Sequence, residues 1–252
     1  MTWFVKEGSI VREIWGKADT ILFIFAGASA EFAVNKSVDW LYFTGKLPAD
    51  PLGRLFSTVA YARKIVFSEQ EAAMKAIDQI TAIHQEVENR RGAKIPDWAY
   101  RDVLFMLIDY SIRSYELLEK KLTKHEKAEV FETFYQVGAR MRIAGLPENF
   151  VEWEEMRRQH LNNNLAESAF SIDLYKQYQK HLGLARYLLL KEVQAEIVPG
   201  KVHQMLSLRK VSALTAILPA YKFLRVFGMH HTMRNVILPE KYKAEIAALD
   251  IR

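Results

Sequence analysis

The chain of 252 residues contains no cysteine. That excludes a disulfide scaffold, a thiolate zinc site, an iron–sulfur cluster and a cysteine nucleophile. Proline and glycine are scarce, at 7 and 11 residues, so few positions interrupt regular structure. There is no long hydrophobic run. The most apolar window, Ile21 to Ala30, is closed by Asp19 and Glu31 and is about half of the ~20 residues that a membrane-spanning helix needs. The start, Met1-Thr2-Trp3-Phe4-Val5-Lys6-Glu7, lacks the basic-then-apolar order of a secretory signal. The expectation is a cytoplasmic protein without a transmembrane helix.

Familiar reactive motifs are missing too. The sequence holds no phosphate-binding glycine loop and no Gly-x-Ser-x-Gly elbow. His125-Glu126 begins like a zinc-protease motif, but Glu129 stands where the second histidine belongs. None of the seven histidines follows a glutamate by three residues, as a di-iron carboxylate bundle requires.

Half of the residues are hydrophobic and 12% are aromatic, enough for a sizeable core. The net charge is +5. It is unevenly placed: residues 200–243 carry +7, which leaves −2 on the rest. Met205, Leu206, Leu208, Val211, Leu214, Ile217, Leu218 and Tyr221 alternate with those cations. Such a stretch either packs as helices with a solvated basic edge or lies on an anionic membrane surface. It is too apolar for an arm that binds nucleic acid. We therefore divide the chain into a core, 1–199, and basic amphipathic C-terminal helices, 200–252, packed on the same domain.

The periodicity is helical throughout, with no alternating strand pattern. Thr20 to about Thr44 reads as one or two helices, followed by a loop, Gly45 to Ala49. Asp50-Pro51 is a strong helix start, because the Asp caps free N–H groups and Pro suits the first turn; that helix runs to about Phe67. Ser68-Glu69-Gln70-Glu71 reads as a capping box opening a helix to Arg91-Gly92. Asp97 reads as the cap of a helix from Trp98 to Leu122, and Thr123 to Glu126 as a second capping box for a helix to about Ile143. Helices at Glu148–Asn163 and Asp173–Ile197 follow. Pro199, Pro219, Gly228 and Pro239 punctuate shorter ones. The sum is an all-α single domain of eight to ten helices.

Two sets of polar residues stand out. His84 shares the apolar face of Ile77 and Ile80. It is either a core histidine with a hydrogen-bond partner or an axial ligand to haem iron. Arg54, Thr58 and Tyr61 fall at i, i+4 and i+7, one stripe of a helix. That stripe is either a partly solvated face with Arg54 in a surface ion pair or the wall of a site. His160, beside Arg157-Arg158 and Asn162-Asn163-Asn164, reads as a solvated helix end. His230-His231 lacks a third ligand, and Trp98 and Tyr100 read as packing residues.

The run Asp50-Pro51-Leu52-Gly53-Arg54-Leu55-Phe56-Ser57-Thr58-Val59-Ala60-Tyr61 resembles the D-P-x-x-R-L-x-x-T-x-x-Y segment of the latex-clearing rubber oxygenase and mpaB-type oxygenase family. Ala72-Ala73, His84-Gln85-Glu86-Val87, and Ser111, Ser114 and Tyr115 extend the resemblance from about Leu22 to Pro147. The resemblance implies a globin-like helical core that binds haem b. His84 would be the proximal iron ligand, with Arg54 and Thr58 near the haem. The implied reaction is oxygen-dependent cleavage of a carbon–carbon double bond in an isoprenoid or lipid-like chain. Its partners would be dioxygen and an apolar substrate. Arg54 would either stabilise negative charge on the reacting oxygen or anchor a haem propionate. Two departures are visible. Ser57 replaces the lysine that rubber oxygenases carry before the Thr. The stretch Ala30-Glu31-Phe32-Ala33-Val34 lacks the Gln and His-Pro pattern of many relatives. The other reading is a non-catalytic helical protein that keeps the fold and binds a lipid or a partner.

Overall fold

A computed structural model describes residues 2–226, and they are all-α. The helices are α1 (Ile10–Trp15), α2 (Ala18–Ala33), α3 (Val38–Phe43), α4 (Lys46–Ala49), α5 (Pro51–Val66), α6 (Gln70–Arg91), α7 (Asp97–Leu118), α8 (Lys124–Arg140), α9 (Phe150–Asn163), α10 (Ala169–Ile197), α11 (Gly200–Met205) and α12 (Leu214–Val226). The count exceeds the eight to ten expected because α1, α4 and α11 are too short to carry a readable period. The breaks expected at Gly228 and Pro239, and His230-His231, lie outside the described residues.

The helix starts separate into those set by local sequence and those set by distant chain. Asp50 caps α5 by accepting from Gly53 N at 3.0 Å, with Pro51 in the first turn. Thr123 and Glu126 close the capping box of α8. The box expected at Ser68 to Glu71 does not form. Glu69 occupies the cap position without a side-chain bond. Gln70 N instead donates to Thr2 O at 2.8 Å, and Phe4 N donates to Ser68 O, so the N-terminal segment has taken over the cap. Asp97 is likewise the first residue of α7 rather than its cap. That helix ends at Leu118, not Leu122, because Glu116 turns back to accept from Leu122 N at 3.1 Å. Gly45 to Ala49, expected as a loop, contains the single turn α4. Helix α10 begins at Ala169, earlier than expected, on a capping box from Ser168 and Ser171, and is kinked at Gly183, whose φ of 74° suits only glycine at low cost.

Helix α2 is central and packs on α7 and α10. Its apolar residues Ile21, Ile24 and Ala30 are fully buried beside Trp15, Phe105, Ile108 and Tyr110. The close approach of α2 and α7 depends on Gly27, where a Cβ would run into the Tyr110 ring.

The same helices carry a buried ionic knot. Glu31 of α2 is fully buried. It accepts from Arg157 Nη1 at 2.5 Å and Nη2 at 2.6 Å, from Tyr110 Oη at 2.8 Å, and lies 2.8 Å from His160 Nε2. Arg157 also donates to Asp109 at 2.9 and 3.0 Å, and Arg113 bonds the other Asp109 oxygen at 2.7 Å. His160 Nδ1 stands 2.5 Å from Asp102 Oδ1, and Asn35 and Asn164 donate to Asp102. With His160 protonated, three carboxylates face three cations. Burial alone would raise Glu31, but Arg157 and His160 outweigh it and bring its pKa down to about 2. Burial disfavours the charged imidazole, yet Asp102 and Glu31 raise His160 above its ordinary value. The expectation that His160 is a solvated helix end is thus corrected: it is 3% exposed and clamped between two acids. Helical period alone hid this, because the two partners of His160, Glu31 and Asp102, come from α2 and α7. The knot ties α2 to α7 and α9, and so fixes the opposite face of α2.

Candidate functional site

That opposite face, with Phe25, Ala26, Ser29 and Phe32, forms one wall of a cavity of about 980 Å³, at the upper end of the roughly 300–1,000 Å³ usual for ligand sites. The other walls come from α3, α4, α5, α6, α7, α8, α10 and α12. Its lining is overwhelmingly apolar. His84, Arg54, Thr58, Tyr61 and Ser57 all lie on it, so about two helical turns of α5 and His84 of α6 are brought to a common space.

Arg54 folds back over its own helix. Its Nη1 donates to Thr58 Oγ1 at 2.8 Å and to Ser57 Oγ at 3.2 Å. Thr58 Oγ1 and Ser57 Oγ each donate to Arg54 O, at 3.1 and 2.8 Å, so both hydroxyl hydrogens are spent on the backbone and their lone pairs hold the guanidinium. No carboxylate forms an ion pair with Arg54 among the described residues, which corrects the surface-ion-pair reading. Burial lowers its pKa, the signature of a cation held in an apolar wall.

His84 sits across from it. Burial, and then the charge of Arg54, lowers the imidazole pKa, so the ring is neutral at neutral pH. A neutral imidazole is what a metal or haem iron requires. Nδ1 is buried without a regular hydrogen bond; the Ile80 carbonyl one turn back makes only an open contact. The core-histidine reading expected a satisfied partner; apart from that carbonyl of its own helix, no hydrogen-bond partner is found among the described residues.

Tyr100 was expected only to pack. It lines the cavity and stands edge-on to His84, with ring centroids 5.2 Å apart and planes at 85°. Its hydroxyl donates to Glu88 Oε1 at 3.1 Å, and the same oxygen accepts from Ile95 N at 2.9 Å. Glu88 is four residues after His84, a spacing that could have flagged it; nothing local pointed to Tyr100. Ser111 and Ser114 of α7 are fully buried with unbonded hydroxyls and do not line the cavity.

No cluster of three or more His, Asp or Glu side chains fit to hold a bare metal ion is found among the described residues. The donor set, one neutral histidine in an apolar pocket beside a cation, suits a prosthetic group that brings its own equatorial ligands. No described helix is long and apolar enough to cross a membrane.

A family model described as "ER-bound oxygenase mpaB/B'/Rubber oxygenase, catalytic domain" matches residues 18–242. No curated protein and no solved structure matches the chain.

Proposed function

The chain belongs to the ER-bound oxygenase mpaB/B' and rubber oxygenase catalytic-domain family, and on that premise we propose that it is a haem b-dependent oxygenase. The substrate would be an apolar, unsaturated, isoprenoid or lipid-like molecule, and the reaction oxidative cleavage of a carbon–carbon double bond. The observation that supports this is the gathering of His84, Arg54 and Thr58 on one apolar cavity, with the imidazole neutral and its Nδ1 unbonded.

Haem b, when bound, supplies the iron chemistry that activates dioxygen. His84 would hold the iron through a ring nitrogen. Tyr100, edge-on to that ring, limits its rotation. Arg54 places a fixed positive charge near the imidazole that outweighs the opposing charge of Glu88, and in a dry wall such a charge acts strongly on developing negative charge or on a propionate. Thr58 keeps the guanidinium in place. To donate to a bound group, Thr58 would first have to release the Arg54 carbonyl. Ser57, also committed to Arg54, stands where rubber oxygenases carry a lysine and cannot take over its role. The apolar lining excludes water and admits a hydrocarbon.

The C-terminal part from residue 200 is assigned to the same domain as the core 1–199, with its basic helices making peripheral contact with anionic membrane. Salt-sensitive sedimentation with anionic liposomes tests that contact. No nucleic-acid role is assigned.

An absorption spectrum after haem reconstitution tests the main reading. A Soret band that His84→Ala abolishes is expected. No band in the wild-type chain overturns the haem-oxygenase reading and leaves a non-catalytic lipid- or partner-binding protein. Arg54→Gln separates the two roles of that residue: lost turnover with intact loading points to oxygen, and lost loading points to a propionate.

A further inference from the structure

The cavity is elongated, and its charges are sorted. Lining residues on α5 run from Pro51 to Val66, and on α2 from Asp19 to Phe32. Arg54 and Ile65 are separated by about 16 Å of helix at ~1.5 Å per residue. The two ends are identified by other contacts. At the start of α5, the end of α6 is tied to α3 by Arg91 and Asp39 at 2.6 Å, with the Arg91 guanidinium 3.9 Å from the Trp40 ring. Helix α10 packs on α3, α4 and α5 there. At the far end, Phe67 lies under Arg12 of α1, 5.6 Å from the ring centre, next to the start of α2.

Of the four lining cations, Lys46, Arg54 and Arg90 belong to the first end, which α4, the start of α5 and the end of α6 build, and the fourth, Arg186, is on α10, which packs on α3, α4 and α5. Among the described lining residues the one carboxylate is Asp19, at the other end, bonded by Tyr221 Oη at 2.5 Å. No carboxylate forms an ion pair with Lys46, Arg54 or Arg90 among the described residues, while nearby Asp39 is engaged by Arg91. A tube with unmatched positive charge at one end and a negative group at the other selects both the class of its ligand and its direction.

We propose that this cavity binds an anionic amphiphile, a long hydrocarbon with a carboxylate or phosphate head. The head lies at Lys46 and Arg90, and the chain runs past Arg54 along α5 and α2 toward Asp19 and Tyr221. This deepens the oxygenase reading by naming the class of its substrate; it rests on that reading for turnover but not for binding. The cations give the head charge-assisted hydrogen bonds, and the apolar walls take the chain. The Asp19 end repels the head, so the chain enters in one sense. The reacting bond then lies within the hydrocarbon, beside His84 and Arg54, rather than at the head.

The test titrates dodecanoate, dodecyl phosphate and methyl dodecanoate into the full chain, with and without bound haem, by calorimetry and by fluorescence of Trp40, which lines the cation end. The acid is expected to bind about tenfold tighter than its neutral ester at low salt, with the margin shrinking as salt rises. The double variant Lys46→Gln/Arg90→Gln changes two exposed side chains and should erase most of that margin while leaving the ester unchanged. The tighter of carboxylate and phosphate identifies the head. Equal binding of acid and ester overturns the proposal, as does a margin that the double variant leaves intact. Loss of the margin on haem loading would assign the cations to the propionates and also overturn it. Failure of the oxygenase reading is distinct: it appears as an absent Soret band, with the acid preference still present in the haem-free chain.

Discussion

Replacing Arg157 by Met removes the one guanidinium shared by Glu31 and Asp109 and leaves both acids in place. Glu31 is fully buried and the Asp109 side chain is 11% exposed. Breaking such a pair costs about 3–5 kcal/mol, because a buried charge is left uncompensated. For a chain of this size each kcal/mol lowers the melting temperature by roughly 2–4 °C, so a drop on the order of 10 °C is expected. The pH dependence gives a sharper signature. In the native chain Glu31 titrates at about 2, below the ~4.3 of a free glutamate. Its stabilisation is therefore present above the unfolded value and is lost as pH falls through about 2. Without Arg157 the burial that pushes Glu31 upward is opposed by His160 alone, so its folded pKa rises and the ionised acid loses stabilisation. The deficit of the variant should be largest near neutral pH and shrink toward pH 4. Adding Glu31→Gln should recover part of it. Thermal melts across pH read all of this. A deficit constant with pH, or no larger than that of Arg140→Met at the exposed Arg140–Asp78 pair, would refute the account.

Other outcomes follow from named contacts. His160→Gln should remove an alkaline sensitivity: its raised pKa stabilises the fold below the ordinary histidine value, and that contribution is lost as pH rises through the folded value. Denaturant midpoints measured from pH 6 to 9 check the slope. Haem loading should persist below pH 6.5, because burial and Arg54 lower the His84 pKa; a loading midpoint at or above the ordinary histidine value contradicts that. Tyr100→Phe keeps the edge contact with His84 and should leave haem affinity nearly unchanged, whereas Tyr100→Leu should speed haem loss, as read by transfer to an apo-globin acceptor. Gly27→Ala should lower stability by about 1–3 kcal/mol through overpacking against Tyr110, with equal losses for Gly200→Ala arguing against the steric cause, since a Cβ there meets nothing and the backbone is not left-handed.

The sequence by itself determined the helical class, the α5 start at Asp50-Pro51, the α8 box at Thr123 and Glu126, and the stripe that carries Arg54, Thr58 and Tyr61, because each depends on neighbours three or four positions away. The family resemblance on Asp50 to Tyr61 and His84 was equally local. What it could not determine depended on distant chain. The Ser68 box lost to Thr2 O, since backbone donors are satisfied by whichever acceptor the fold delivers. His160 read as solvated because Glu31 and Asp102, the acids that bury it, stand 129 and 58 positions away. Tyr100 read as packing because its edge contact with His84 crosses from α7 to α6. The tertiary structure alone decided that the cavity is a tube with its cations at one end. That order comes from the antiparallel course of α5 and α6 and from the ionic knot that sets the face of α2, and no window of sequence contains either.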